Sequence, residues 1–488
     1  MSYDLYVDLR AIQRYIFSSN KLRDNLGASY LVSHIFDDFK DENTGFCGGG
    51  NLYRQCDNEI RAKEIVRDLS RAIFETAPGL SFNAAIVKTK EDEDFSSRIK
   101  RLHQKLEEEK QNHQQITTLC SYGVNAQCSS GPLSAQYQDP FEKDKYISEV
   151  VYAKRKLFKN DKENDKEVDT ISDEYSQYLS GDFKLTEEFL EISPLKGEDS
   201  HIAVVHIDGN GIGAIFSTLK TLSDYQEFSK KLNTDMHKAL RETIKILEDK
   251  VRKGEWDYNY KPVNEQNILK NILPLRPIYI GGDDITFVCE GKLGIVLACT
   301  YIEQIKKILN DKKITFCAGI AIAKTNFPFF QTYKAAEALC CSAKNKRMKE
   351  DENESYIDFH MINSSIYSNL EEVRKIQYKS IDGINLLYRP YKIEDLKAQI
   401  ENAINFAKTW PNSKLAKFRE VLYKESSERR TFSRELKTRG DLELYCKGES
   451  FQDFQTSEDF TLGSKTIFLD IIELIDLLPE EKANEIPS

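Results

Sequence analysis

Three aspartates near the middle of the chain have the types and spacing expected of a metal-dependent site. Asp208 ends an apolar, strand-like run, and Asp283 and Asp284 complete the tetrapeptide Gly281-Gly282-Asp283-Asp284. Carboxylates suit Mg²⁺ and Mn²⁺, and two such ions about 4 Å apart can stabilise the attacking and leaving oxygens of a phosphoryl transfer. We therefore predict that all three aspartates bind metal in a nucleotidyl-transfer site.

The glycines around these acids are predicted to contact the nucleotide. Gly281 and Gly282 tolerate unusual backbone angles, so their turn can lie against a substrate. The loop after Asp208 leads into a helix whose free N–H groups can bind phosphate. Lys344 is a candidate phosphate contact, and Lys346 and Arg347 are weaker ones. The predicted nucleotide contacts in this half of the chain are Gly209, Asn210, Gly211, Gly213, Gly281, Gly282 and Lys344.

A purely structural turn is the alternative interpretation, because Gly and Asp both favour hairpin turns. The apolar residues on both sides of the turn and the strand-terminal Asp208 favour the catalytic interpretation. His206 lies on the same strand-like run, and its alternation with Val205 favours packing, or a supporting contact to the site residues, over a catalytic role.

The acids can meet only if the elements that carry them are neighbours. The hydrophobic pattern predicts strands or helices in this order: strand 201–208, helix 223–253, two strands within 276–289 joined by the turn, helix 293–309, strand 314–323 and helix 330–346. After about residue 365 the pattern is mostly helical.

The first half of the chain repeats parts of this pattern. Tyr6-Val7-Asp8-Leu9 matches the segment that ends at Asp208, and Gly48-Gly49-Gly50-Asn51 matches the later turn. A cysteine follows each turn at the same distance. The repeat predicts two copies of one fold, of which only the second keeps acids on its turn. Chance similarity of two α/β units is the alternative.

Composition limits the possible classes of protein. The 488 residues are 40% hydrophobic and 30% charged, with a formal net charge of −10. Two to four globular domains are expected. The acidic balance argues against a protein that coats nucleic acid and lends little support to templated polymerisation. No apolar run is long enough for a membrane span, no signal peptide is evident, and the scattered cysteines favour reduced thiols, so we predict a cytoplasmic protein that does not bind membranes.

With these motifs, the chain resembles the large polymerase-like subunit of type III CRISPR effector complexes and related stand-alone palm cyclases, over about residues 1–365. The helix 22–31, which follows the element 12–17, looks like that family's first palm. The segment 281–284 looks like its catalytic turn, and 335–344 looks like the helix that follows. Residues from 389 onward resemble its C-terminal helical domain less specifically.

The resemblance implies an α+β fold with two ferredoxin-like palm domains and a C-terminal helical domain. The expected boundaries are 1–118 for a non-catalytic first palm, 119–198 for a connecting segment with a possible degenerate zinc knuckle and a charged linker, 199–365 for the second palm, and 366–488 for the helical domain.

The resemblance also implies an activity. The second palm would convert ATP into a cyclic oligoadenylate or cyclic dinucleotide, with release of pyrophosphate, as a messenger that a downstream effector senses in antiviral defence. One ATP would bind in each palm. Asp283 and Asp284 would be the catalytic acids, which bind metal and help to activate the attacking hydroxyl. Asp208 would bind metal together with the backbone carbonyl of Ile207 or Gly209. The residues expected to border the second nucleotide are Ser29, Gly48, Gly49, Gly50 and Asn51.

Three departures from the family pattern limit these expectations. The chain contains no His-Asp dipeptide, so we expect no DNase activity of the HD type. Only Cys120 and Cys128 lie between the palms, so we do not expect zinc. Asn210 stands where a second acid is common.

Guide or target RNA and other type III CRISPR subunits are possible partners. The alternative functions are a non-catalytic or RNA-regulated scaffold subunit of such a complex, and a diguanylate-type cyclase.

Overall fold

The structure is a computed structural model that describes residues 2–90, 93–112, 123–158, 175–193, 200–256, 258, 270–311, 313–362, 369–439 and 452–479. Its first unit contains, in chain order, β1 (Tyr3–Arg10), α1 (Ile12–Ile16), α2 (Leu22–His34), a 3₁₀ turn (Asp37–Phe39), β2 (Thr44–Gly48), β3 (Asn51–Cys56), α3 (Glu59–Thr76), β4 (Ser81–Lys88) and α4 (Phe95–Asn112).

The first unit has the ferredoxin-like arrangement. Its sheet has the order β2-β3-β1-β4, and each neighbouring pair is antiparallel. Because side chains alternate along a strand, Leu5 and Val7 of β1 face the core that contains α2 and α3. Tyr6 faces the opposite side, where it packs with Leu102 and Leu106 of α4.

The connecting segment contributes β5 (Tyr137–Gln138), β6 (Tyr146–Ile147), α5 (Glu149–Arg155), a 3₁₀ turn (Lys156–Phe158), β7 (Phe183–Lys184) and α6 (Phe189–Ile192). Helix α5 is anchored on the first unit by buried charges. Lys154 Nζ donates to the Tyr15 carbonyl at 2.8 Å, and Arg155 Nε donates to Asp24 Oδ1 at 2.6 Å. Gly27 makes this approach possible, since a Cβ there would lie 2.2 Å from the Lys154 carbonyl oxygen.

The second unit contains β8 (His201–Asn210), α7 (Ile212–Thr218), α8 (Leu222–Arg252), β9 (Asn271–Ile272), β10 (Leu275–Gly281), β11 (Asp284–Glu290), a 3₁₀ turn (Gly291–Leu293), α9 (Gly294–Leu309), β12 (Thr315–Lys324), α10 (Phe329–Glu350) and β13 (Tyr356–Met361). The C-terminal part contains α11 (Leu370–Gln377), β14 (Tyr391–Lys392), α12 (Ile393–Thr409), α13 (Asn412–Leu422), α14 (Ser426–Thr438), α15 (Gln452–Thr456) and α16 (Phe468–Leu477).

The second sheet repeats the first and extends it. Its order is β10-β11-β8-β12-β13-β14, so its first four strands correspond to β2-β3-β1-β4. Those four are again antiparallel, while β13 joins β12 in parallel. The predicted repeat and the α+β fold with two ferredoxin-like palms are therefore confirmed, and the part beyond residue 369 that the structure describes is mostly helical.

The two faces of the second sheet meet different neighbours. Ala203, Val205 and Ile207 of β8 pack in the core that contains α8 and α9. Ile202 and Val204 belong instead to the core shared with the first unit. Within that shared core, the rings of Phe17 and Tyr333 stack with centroids 3.7 Å apart. His206 and Asp208, which continue the Ile202 and Val204 side of the strand, therefore lie on the face turned toward the first unit.

The C-terminal helices extend the core of the second unit. Leu396 of α12, Phe418 of α13 and Ile471 of α16 belong to the same cluster as Val205 and Phe287. The boundaries predicted at residues 118, 198 and 365 stay predictions. Among the residues described, no helix is both long and apolar enough to cross a membrane.

Candidate functional site

Strand pairing brings the predicted acids together. Asp208 of β8 lies directly opposite Asp284 of β11 in the antiparallel ladder. Asp283 lies in the turn, and its carbonyl accepts a hydrogen bond of 3.2 Å from the Gly209 backbone N–H. Asp208 and the Asp283–Asp284 pair, which are 75 residues apart in the sequence, therefore lie together at one end of β8 and β11.

Helix α10 lies over this end of the two strands and supplies a cation. It packs on β12 at Gly319, where a Cβ would lie 2.0 Å from the Ala336 carbonyl oxygen. This close approach positions Lys344, whose Nζ forms an ion pair and hydrogen bond with Asp208 Oδ2. The predicted phosphate contact thus lies at the cluster of acids.

The electrostatics of the cluster favour a cation. Burial, followed by the charge of Asp208, raises the pKa of Asp283 to about 6. Burial and the charges of Asp208 and Asp283 also raise the pKa of Asp284 well above its ordinary value. Burial alone would lower the pKa of Lys344, but its hydrogen bond to Asp208 and the nearby carboxylates raise it. Additional positive charge would therefore stabilise the ionised acids.

His206 belongs to the same cluster. Ligand atoms of His206, Asp208 and Asp284 all lie within 4.8 Å of one another, a spacing that could hold a metal ion. Burial lowers the pKa of His206 to about 4, so its imidazole is neutral near pH 7. The alternation along the strand predicts packing or a supporting contact to the site residues for His206. The signal for its proximity was its position two residues before Asp208, which places both side chains on one face of a strand.

The glycines fit a crowded turn. A Cβ on Gly209 would lie 2.6 Å from Ile212 Cδ1, and one on Gly281 would lie 2.0 Å from the Tyr279 hydroxyl. Gly211 and Gly282 have φ angles of 85° and 66°, which favour glycine. Side chains at these positions would fill space or strain the backbone beside the acids.

The turn of the first palm lies against this site. The nearest atoms to a Cβ on Gly49 would be the nitrogen and Cα of Gly282, at 3.6 and 3.7 Å. Asn51 lies opposite Asp8 in the β1–β3 ladder, as Asp284 lies opposite Asp208. The first turn therefore corresponds to the second in position but has an amide where the second has a carboxylate.

The first palm also retains a carboxylate–lysine pair that the sequence analysis missed. Lys110 Nζ lies 3.3 Å from Asp8 Oδ2. Lys110 follows the first residue of β4 by as many positions as Lys344 follows the first residue of β12. The repeat therefore contained the signal for this pair, since Asp8 and Asp208 were already aligned.

Other predicted residues lie at or beyond the edge of this cluster. The Ile207 side chain is buried in the opposite face of the sheet, so only its backbone could meet an ion. The Asn210 amide donates to the Thr315 carbonyl at 3.3 Å. Gly48 and Gly213 are exposed, Gly50 is buried, and Ser29 is buried in α2.

The two weaker cation candidates are held elsewhere. Lys346 Nζ donates to the carbonyls of Tyr388 and Pro390 at 3.0 and 2.7 Å, and Arg347 Nε donates to Thr315 Oγ1 at 2.9 Å. Of the two cysteines between the palms, Cys128 is buried beside Ile147, and Cys120 lies outside the described residues.

Comparison with known families assigns the second unit to a class of domain. Residues 201–352 match the family model described as Cas10/Cmr2, second palm domain. This range runs from the start of β8 to just past α10 and includes Asp208, Asp283, Asp284 and Lys344. The second unit is therefore similar to a Cas10-type second palm domain. A comparison with curated proteins finds no match.

Solved structures give a similar result for nearly the whole chain. A crystal structure of the Csm1–Csm4 cassette in complex with cA4 matches with a TM-score of 0.56 and 13% identity, covering 98% of this chain and 69% of that chain. The cassette in complex with one ATP matches with a TM-score of 0.56 and 12% identity, covering 98% and 70%.

The Csm1–Csm4 subcomplex of the type III-A CRISPR-Csm interference complex matches with a TM-score of 0.55 and 13% identity, covering 97% and 70%. These matches show a shared fold. With the palm domain, they confirm the predicted resemblance to the large subunit of type III CRISPR complexes.

Proposed function

We propose that the second palm is a metal-dependent nucleotidyltransferase that joins ATP molecules into a cyclic oligoadenylate or cyclic dinucleotide and releases pyrophosphate. The observation that carries the proposal is the convergence of Asp208, Asp283, Asp284 and Lys344 at one end of β8 and β11, in a unit similar to a Cas10-type palm. Proteins of the same fold have been crystallised with ATP and with cA4, which supports adenine nucleotides as the substrate class.

The aspartates would hold divalent metal. The donor set fits Mg²⁺ or Mn²⁺, because both ions bind carboxylate oxygens. The raised pKa values of Asp283 and Asp284 show that their surroundings do not neutralise both carboxylates, and a bound cation would supply the missing positive charge. Such an ion would neutralise triphosphate charge and promote ionisation of the attacking 3′-hydroxyl. Asp283 and Asp284 are the catalytic acids of this proposal, and Asp208 is a further metal ligand.

Lys344 would act on the phosphates. Its ammonium group already lies at Asp208 and carries three N–H donors. With a metal ion bound at Asp208, Lys344 would be able to contact a non-bridging phosphate oxygen. The helix start after Gly211 and the turn at Gly282 would contact the same nucleotide through backbone N–H groups.

The first palm would position the second nucleotide. Gly49 lies against Gly282, so a molecule bound at the first turn is next to one bound at the second. Asn51 cannot replace a carboxylate as a charged metal ligand, so we assign the chemistry to the second palm. Gly48, Gly50 and Ser29 remain proposed borders of this second position.

The test is product analysis with each nucleoside triphosphate and Mg²⁺ or Mn²⁺, followed by mass spectrometry. Wild type should convert ATP into a cyclic adenylate and pyrophosphate, and Asp283→Ala/Asp284→Ala should yield neither. Asp57→Ala, an exposed aspartate after β3, is the matched control and should behave as wild type. Cyclic product from the double variant would refute the assignment of these acids.

The choice of nucleotide separates this proposal from the alternatives. A cyclic product from GTP alone would favour a diguanylate-type cyclase. We further propose that other type III CRISPR subunits and guide or target RNA regulate the site, since Csm1–Csm4 assemblies share the fold. If the isolated protein forms no product, the same assay with those subunits and RNA added should restore it. Continued inactivity would favour a scaffold.

A further inference from the structure

His206 is placed to do more than pack. It precedes Asp208 by two residues in β8, so both side chains emerge on the same face of the sheet. Its ring is only 3% exposed, and one of its nitrogens lies within 4.8 Å of carboxylate oxygens of both Asp208 and Asp284. A buried imidazole at the edge of a carboxylate cluster combines the two ligand types that transition-metal ions accept.

The imidazole ring is held in one orientation. Thr286, which lies opposite His206 in the β8–β11 ladder, makes a hydrogen bond of 3.0 Å between its Oγ1 and His206 Nδ1. The ring of Tyr333 approaches edge-on, with centroids 5.9 Å apart. A hydrogen-bond partner at Nδ1 fixes the orientation of the ring and leaves Nε2 as the nitrogen that would bind metal. This is the usual arrangement of a metal-binding histidine.

We propose that His206 supplies a nitrogen ligand to an ion held between Asp208 and Asp284, and that this palm therefore prefers Mn²⁺ to Mg²⁺. The inference rests on the proposed function only in placing metal at these two aspartates. Mg²⁺ strongly prefers oxygen ligands and keeps its waters, whereas imidazole is a good ligand for first-row transition metals.

The distances are compatible with one shared ion. Ligand atoms bonded to one octahedral ion at about 2.1 Å are roughly 3 Å apart at right angles and roughly 4 Å apart across the ion. The present separations of up to 4.8 Å require only small side-chain movements to reach this geometry. Lys344, which now neutralises Asp208, would move away as the ion binds.

The first palm provides an internal comparison. Tyr6 occupies the position that corresponds to His206, and its hydroxyl donates to Asn51 Oδ1 at 3.0 Å. The strand position that corresponds to His206 therefore carries a phenol in place of the imidazole, and Asn51 carries an amide in place of the second carboxylate. We therefore expect one nitrogen-containing metal site in the part of the chain that the structure describes, and we place it in the second palm.

The test uses electron spin-echo envelope modulation of Mn²⁺ bound in the presence of pyrophosphate, which contains no nitrogen. Wild type should show modulation from a directly bonded ¹⁴N, and His206→Gln should lose it. The affinity for Mn²⁺ should fall at least tenfold in His206→Gln, while the affinity for Mg²⁺ should change less than threefold. Tyr6→Phe, the matched change in the first palm, should leave the Mn²⁺ spectrum unaltered.

The outcomes separate this inference from the proposed function. Mn²⁺ bound by wild type without ¹⁴N modulation overturns the role of His206 and leaves the aspartate site intact. Mn²⁺ binding that survives in Asp208→Asn/Asp284→Asn overturns the metal site itself. If His206→Gln does not fold, Thr286→Val serves instead, because it frees the ring and should weaken the ¹⁴N coupling.

Discussion

Replacing Gly319 with alanine should force α10 away from the second sheet. An alanine Cβ would lie 2.0 Å from the Ala336 carbonyl oxygen and 2.3 Å from the Cys340 nitrogen. Close carbon–oxygen contacts in proteins are about 3.3 Å, so the helix must move by at least about 1 Å. Both obstructing atoms are backbone atoms of one helix, and no side-chain rotation can relieve the overlap.

The expected cost follows from this overlap. Overpacking a core typically costs about 1–3 kcal/mol of stability, and a backbone overlap belongs at the upper end, so we expect about 3 kcal/mol. The movement also carries Lys344 away from Asp208, because both Ala336 and Lys344 lie on α10. Cyclic product formation should therefore fall together with stability.

Urea unfolding followed by circular dichroism measures the change in stability. Gly213→Ala is the control, because Gly213 is an exposed helical glycine with no atom within 4 Å of its added Cβ. We expect that variant to be unchanged or up to about 1 kcal/mol more stable. Gly319→Ala would contradict this reasoning if its free energy of unfolding stayed within about 0.5 kcal/mol of wild type.

The repeat offers a natural comparison for this position. Ala85 is the fifth residue of β4, as Gly319 is the fifth residue of β12. Ala85 is fully buried, so the helix that covers the first sheet leaves room for a methyl group. The helix of the second palm therefore lies closer to its sheet at this position, although both palms bring a lysine of that helix to the aspartate of the central strand.

Two further predictions concern groups outside the acid cluster. Burial and the charge of Arg389 lower the pKa of His360 to about 2 in the folded protein. The same imidazole has a pKa near 6.5 in the unfolded chain, so as the pH falls the unfolded chain is protonated at this residue before the folded protein is. The stability that depends on neutral His360 is present above pH 6.5 and lost as the pH falls toward 2. By pH 5 the loss is about 2 kcal/mol. Denaturation at pH 7.5 and pH 5 should show a smaller difference for His360→Gln than for wild type, and equal differences would argue against this origin. Lys110→Met should raise the KM for ATP about tenfold and leave kcat nearly unchanged, because the first turn lacks catalytic acids. Lys344→Met should instead lower kcat. Steady-state kinetics that show equal losses of kcat in the two variants would show that both palms share the chemistry.

Local patterns in the sequence were sufficient to identify the centre of the site. Asp208 ends a run of buried residues, and the glycines and aspartates of residues 281–284 form a hairpin turn between two apolar strands. These signals depend on neighbours along the chain, so they are visible without a structure. The same is true of the repeated motifs, and the two units that contain them share one strand order.

The proximity of His206 to Asp284 could not be predicted from the sequence, for a physical reason. Period-two alternation shows that His206 and Asp208 share a face, but not which face is covered or what covers it. The structure places that face toward the first unit and α10, with Asp284 alongside. The distance between imidazole and carboxylates depends on strand pairing, which the sequence of one strand does not specify.

The sequence by itself determined the two palms, the acidic turn and the glycines that surround it. Only the tertiary structure decided that Lys344 meets Asp208, that Gly49 lies against Gly282, and that the C-terminal helices complete the core of the second palm. The first two contacts join residues more than 100 positions apart in the chain. They depend on how closely helices cross sheets and how the two units pack, and such packing is a property of the assembled core, which no local pattern records.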